Sequence, residues 1–215
     1  MERVMDGSAT GSSLLGSAAA WLISECHSTP QHSISGWKSS SQAHNIMATI
    51  KEDTYSITRI TRTIPKPHSE VLAKLQSSIK QDVSGLSILN SLDSKESFEK
   101  ATNALLGPHG FMQFQQFEHG SWMHLYGVHK GGQATRIIFG NPQIAITMLR
   151  HDVTAGLFVP VEAYIIERAD GKGTDVVQIK PSTLIAGAEG SHEALKQAAE
   201  ILDAKLDQLW QFVAA

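Results

Sequence analysis

An Asn-Pro pair, Asn141-Pro142, stands where an extended, β-branched run ends and a short apolar run begins. An Asn side-chain oxygen accepts one of the orphan N–H groups that every helix start leaves exposed. Proline has a backbone angle already set for the first helical position and no N–H to leave unpaired. The pair therefore predicts an abrupt switch from strand to helix, with a helix over 142–151 that ends near His151-Asp152. The chain then re-enters a strand through Gly156, in the stretch Gly156-Leu157-Phe158-Val159-Pro160-Val161-Glu162. A strand, a capped helix of about two turns and a second strand in close succession leave few folds open.

The rest of the chain supplies the partners. Thr54–Thr63 alternates and predicts a strand, stopped by Pro65 and Pro67. Val71, Leu72, Leu75 and Ile79 recur at helical spacing and predict a helix over 68–80. Residues 84–93 read as a loop, and Ser94 caps a second helix that Gly107-Pro108 closes. Phe111–Glu118 alternates, and His119-Gly120-Ser121 reads as a turn returning Trp122–Val128 as its hairpin partner. Ala134–Phe139 predicts a further strand. Phe158–Arg168 and Thr174–Lys180 predict a hairpin around Asp170-Gly171-Lys172-Gly173. Leu195, Ala198, Ala199, Leu202, Leu206, Leu209 and Val213 form one stripe of a long C-terminal helix. Strands in hairpins with helices set apart argue an α+β fold, the long helix crossing one face of an antiparallel sheet.

Gly140, Asn141, Pro142, Ala145, Leu149, Gly156, Leu157, Pro160 and Pro181 together resemble the DUF302 family, a domain family of unknown function. The resemblance runs from about Thr54 to Phe212 and is nearest to fungal members, which carry extra residues between the first helix and the second strand. It implies a curved antiparallel sheet with helices on one face, similar in outline to TATA-binding-protein-like folds. Many bacterial members have Cys at the position of Gly140, and some at that of Val161. A thiol-based role in those members therefore does not carry over to this chain.

Composition closes off several classes. A net charge of -3 gives no basic surface for nucleic acid. The chain has one cysteine, Cys26, which cannot form an internal disulfide, so a reducing compartment such as the cytoplasm fits. No apolar run reaches the length of a membrane span. Residues 1–46 differ from the rest. Leu14–Ile23 is apolar, but Glu2 and Asp6 precede it beside Arg3, against the positive start of a signal peptide. A faint Trp37…His44 likeness to CAP-type secreted proteins stands alone and reads as chance. The segment 1–46 reads as a disordered extension, or as residues outside the natural product, with Met47 as a second start and an α+β domain over 47–215.

His109, His119, His124, His129 and His151 cluster in sequence. On the strand reading, Trp122, His124 and Tyr126 share one sheet face. His119, His124 and His151 are the candidate acids and bases, with Glu162 as a partly buried carboxylate and Arg136 as its partner on a neighbouring strand. Arg150 and Arg136 could hold a carbonyl or anionic group, and Asn141, Trp122 and Tyr126 are candidate ligand contacts. Met112, Phe114, Trp122, Met123, Met148 and Phe158 could line an apolar pocket, though large apolar side chains are mostly core. The histidine spacing matches no metal site, and no cofactor motif is present. Three functions remain: binding a small apolar or aromatic molecule between sheet and helix, cofactor-independent acid–base chemistry (isomerase, cyclase or lyase), or assembly as a homodimer.

Overall fold

Prolines set the first boundary of the sheet. The computed structural model describes residues 48–81 and 86–215, and the extension read over 1–46, with Cys26 and Met47, lies outside them. Strand β1 is Arg59–Ile64, shorter at its start than the Thr-rich run predicts, and Pro65 ends it. Helix α1 is His68–Ile79. A short helix α2, Leu86–Leu89, interrupts the stretch read as loop. Helix α3 is Lys95–Leu105, where Ser94 Oγ accepts the Ser97 amide at 3.1 Å as a cap should. Strand β2 is Met112–Glu118.

The predicted hairpin strand over Trp122–Val128 is not formed. Those residues make a one-turn helix α4, Gly120–Met123, and a 3-10 turn, His124–Tyr126, closed by Gly127 in the left-handed region at φ 69°. The Met123 amide donates to the His119 carbonyl at 3.1 Å. Once this turn of helix closes, Trp122, His124 and Tyr126 no longer share a face. The hairpin partner of β2 is instead β3, Ala134–Gly140. Helix α5 is Pro142–Leu149, a 3-10 stretch covers Val153–Phe158, and β4 is Val161–Glu167. Strand β5 is Thr174–Ile179, a short helix α6 is Ser182–Ile185, and α7 is Glu193–Ala214.

The fold is α+β. The five strands form one open antiparallel sheet in the order β1-β5-β4-β3-β2. Register fixes what each face carries. Arg62, Val176, Ile165, Thr135 and Glu118 stand side by side on one face, and Thr61, Val177, Tyr164, Arg136 and Phe117 on the other. The first face meets the helices. Ile64, Val176, Ile165, Ile137 and Phe139 are buried together with Val71, Leu75 and Ile79 of α1 and Leu195, Ala199, Leu202, Leu206, Leu209 and Val213 of α7. Trp210 is fully buried among them, and its indole N–H donates to Gln178 Oε1 at 2.9 Å, which satisfies the one polar group it brings into the core. The compact unit spans Ile50–Ala215.

Candidate functional site

The strand-to-helix switch builds a hollow. Gly140 closes β3, Asn141 caps α5 by accepting the Gln143 amide at 2.8 Å, and its Nδ2 donates to the Gly110 carbonyl at 2.9 Å. One side chain thus ties the start of α5 to the entry of β2. The chain leaves α5, passes Gly156 and returns through Val159 and Pro160 into β4. Between these turns lies a cavity of about 240 Å³. Its walls are Phe111 and Phe114 from the β2 side, Ile144, Ala145, Met148 and Leu149 of α5, Val159, Pro160 and Val161 leading into β4, and Leu202 of α7. Every side chain in the lining is apolar except Asn141, whose amide is already spent at both ends.

Gly140 leaves part of this space open. A Cβ there would stand 3.0 Å from Pro160 Cβ and 3.4 Å from Phe114 Cε2, tighter than comfortable packing against Pro160. Behind the cavity the aromatic core is ordered edge to face: Phe111 meets Phe139 at 5.7 Å, and Phe139 meets Trp210 at 6.2 Å. This wall cannot collapse without disturbing the centre of the molecule.

The sequence model of the family described as "Domain of unknown function DUF302" matches residues 91–209. The chain belongs to the DUF302 family. A crystal structure of an uncharacterized conserved DUF302 protein from Bacillus stearothermophilus shares the fold, with a TM-score of 0.50 at 18% identity, covering 72% of this chain and 97% of that one. No curated protein matches the sequence.

Within this DUF302 protein the cavity takes up most of the residues that carry the family resemblance: Gly140, Asn141, Pro142, Ala145, Leu149, Gly156 and Pro160 all line it. Leu157 and Pro181 lie instead on a groove beside it, with Arg136 and Glu162. Of the candidate ligand contacts only Asn141 faces the cavity, and none of the candidate acids and bases does. Phe114 and Met148 line it as the apolar reading allowed, whereas Met112 is buried elsewhere and Trp122 is exposed.

The other candidates are dispersed. His119 sits on the outer side of the sheet in an aromatic group, 6.3 Å from the Phe117 ring and 5.6 Å from both Trp122 and Tyr164. Arg136 Nε donates to Glu162 Oε2 at 2.7 Å on the same face, and the guanidinium stands 6.0 Å from the Phe117 ring. The pairing with Arg136 holds, and Glu162 lies on the open face with its side chain 50% exposed, because the helices cover only the opposite face. His124 and Tyr126 point into solvent on the 3-10 turn. His151 stacks on His192 at 5.7 Å on the surface, and Arg150 Nε donates to the Ile146 carbonyl at 3.2 Å at the end of α5. That last contact is what a cation at a helix C-terminus is expected to make. Among the described residues no group of three His, Cys, Asp or Glu side chains converges as metal ligands.

Proposed function

We propose that this protein binds a small apolar or aromatic molecule in the cavity between α5, the β3–β4 end of the sheet and α7. The observation that carries the reading is the lining: a hollow of about 240 Å³ whose walls are apolar and hold no titratable side chain. An apolar cavity of about 150 Å³ stays dry and takes up benzene, so this one has room for a fused two-ring aromatic. The family-bearing residues around it support the same reading, since they shape the hollow rather than an exposed patch. The lining offers nothing to move a proton, so the acid–base alternative draws no support from this site. By the family resemblance we read the chain as a fungal-type member with a TATA-binding-protein-like sheet; the lone cysteine favours the cytoplasm, and composition and Met47 put the start of the domain at 47.

The test uses the full chain with indole and naphthalene as probes, followed by methyl NMR of Met148, Leu149 and Val161. Saturable shifts at these methyls are expected, and they are expected to vanish in Ala145→Phe, whose ring fills the space. Shifts that never saturate, or that survive in Ala145→Phe, would rule the cavity out as a binding site.

A further inference from the structure

A second pocket, of about 480 Å³, opens at the other end of β4, where α1 begins and the β4–β5 hairpin turns. Lys66, His68, Gln133, Glu167 and Lys172 line it. Helix α1 starts there without a side-chain cap, since the residue before it is Pro67. Lys66 also reaches Glu70 at 3.4 Å, and Glu167 Oε2 accepts the Gln133 amide at 3.0 Å. Lys172, on the hairpin tip, is exposed.

His68 is the unusual member. It is 3% exposed, and Nε2 lies 3.1 Å from Thr135 Oγ1. Thr135 in turn donates to Glu118 Oε2 at 2.7 Å. A hydroxyl has one proton and a carboxylate can only accept, so the Thr135 proton goes to Glu118 and His68 Nε2–H must donate to Thr135. That order fixes the tautomer and leaves Nδ1 as a bare lone pair. Nδ1 is buried and makes no well-formed hydrogen bond among the described residues, with the Gln133 side chain set against the ring. Burial holds the imidazole below its ordinary pKa, against the Gln133 side chain and the Glu118 and Glu167 carboxylates, so the ring is neutral near pH 7. A buried acceptor without a donor is costly, and a pocket wall is where a ligand can supply one.

We propose that this pocket binds a small hydroxycarboxylate, its hydroxyl donating to His68 Nδ1 and its carboxylate lying between Lys66, Lys172 and the first turn of α1. The exposed Gln133 side chain, which borders the pocket, swings into water to admit the hydroxyl. The Thr135–Glu118 chain makes His68 a fixed acceptor that selects a ligand with a donor beside its charge. Helix α1 contributes its positive end to the carboxylate.

The experiment is NMR on the full chain with lactate, propionate and lactamide as probes. Propionate lacks the hydroxyl and lactamide lacks the charge. Before any ligand is added, long-range proton–nitrogen spectra should show His68 (assigned through His68→Gln) protonated at Nε2 and bare at Nδ1. Lactate is expected to shift the Ser69 and Gly173 amides and the His68 ring nitrogens together. Propionate is expected to bind at least threefold and lactamide at least tenfold more weakly. Lys172→Ala, at an exposed tip that the core does not need, is expected to weaken lactate at least fivefold. Equal binding of lactate and propionate, an Nδ1–H tautomer, shifts spread over the surface, or no shift at tens of millimolar would each overturn the proposal.

Discussion

Asn141 shows how much one side chain can hold. Its oxygen caps α5 and its amide nitrogen reaches the Gly110 carbonyl, so Asn141→Ala removes two bonds at once. Loss of a cap costs about 1 kcal/mol and loss of an ordinary hydrogen bond about another 1 kcal/mol. Urea unfolding should therefore show Asn141→Ala less stable by about 2 kcal/mol, while Asn141→Asp, which keeps the cap and loses the donor, should fall about midway. His68 makes a different prediction. Its folded pKa is lowered, so on acidification the unfolded chain takes up a proton that the native chain refuses. Stability is unaffected well above the ordinary imidazole value of about 6.5 and declines as pH falls below it, until the folded group itself titrates. Equilibrium unfolding at pH 7.5 and 5.5 should show that loss, and His68→Gln should flatten the slope. The charged and polar groups set around this ring are Thr135, Glu118, Glu167, Gln133, the Ile165 backbone, Lys66 and Lys172, and substitution of the two carboxylates should lower the folded pKa further.

Among the elements, α7 separates packing from charge at adjacent positions. Leu206 is buried against the sheet, whereas Asp207 is exposed and pairs with Arg62 at 2.5 Å. Leu206→Ala should cost about 2–5 kcal/mol through lost burial and the hole left behind. Asp207→Asn should cost about 1 kcal/mol, less than the core change, because water screens the exposed carboxylate while Arg62 is only 21% exposed. Denaturant midpoints for the two variants would check the contrast. The same helix shows what sequence can reveal. Its stripe is visible because a 3.6-residue repeat sustained over six turns has no other reading, and Asn141-Pro142 is visible because capping is local chemistry. Trp122–Val128 misleads for the opposite reason: polar and aromatic residues alternating over a few positions fit a strand and a pair of tight turns equally well. The hydrogen bond from Met123 to His119, not the pattern, decides between them. The cavity was legible as motif residues but not as a hollow, since Phe111, Ile144, Val159 and Leu202 join it only through tertiary packing. His68 carried no signal at all. Thr135 and Glu118 reach it through sheet register, which spacing along the chain does not encode.

For the compact unit, the three central strands and α7 are expected to open last. β3, β4 and β5 are each paired on both sides and back onto the buried helix. Amides there should exchange with solvent at rates set by global unfolding, and those of 119–132, which lie in short turns on the outside, should exchange many times faster. Hydrogen exchange under native conditions would show whether the protection follows that division. The strand order also carries a consequence for how the chain is made. Among the described residues β1 is the first strand to leave a ribosome, and its one sheet neighbour there is β5, with Arg59 opposite Ile179. Every other strand, and the segments between them, is synthesised before that partner exists. The early strand therefore waits with its edge unpaired through most of translation, and its Arg59 and Arg62 charges are what that edge presents to other nascent chains in the meantime.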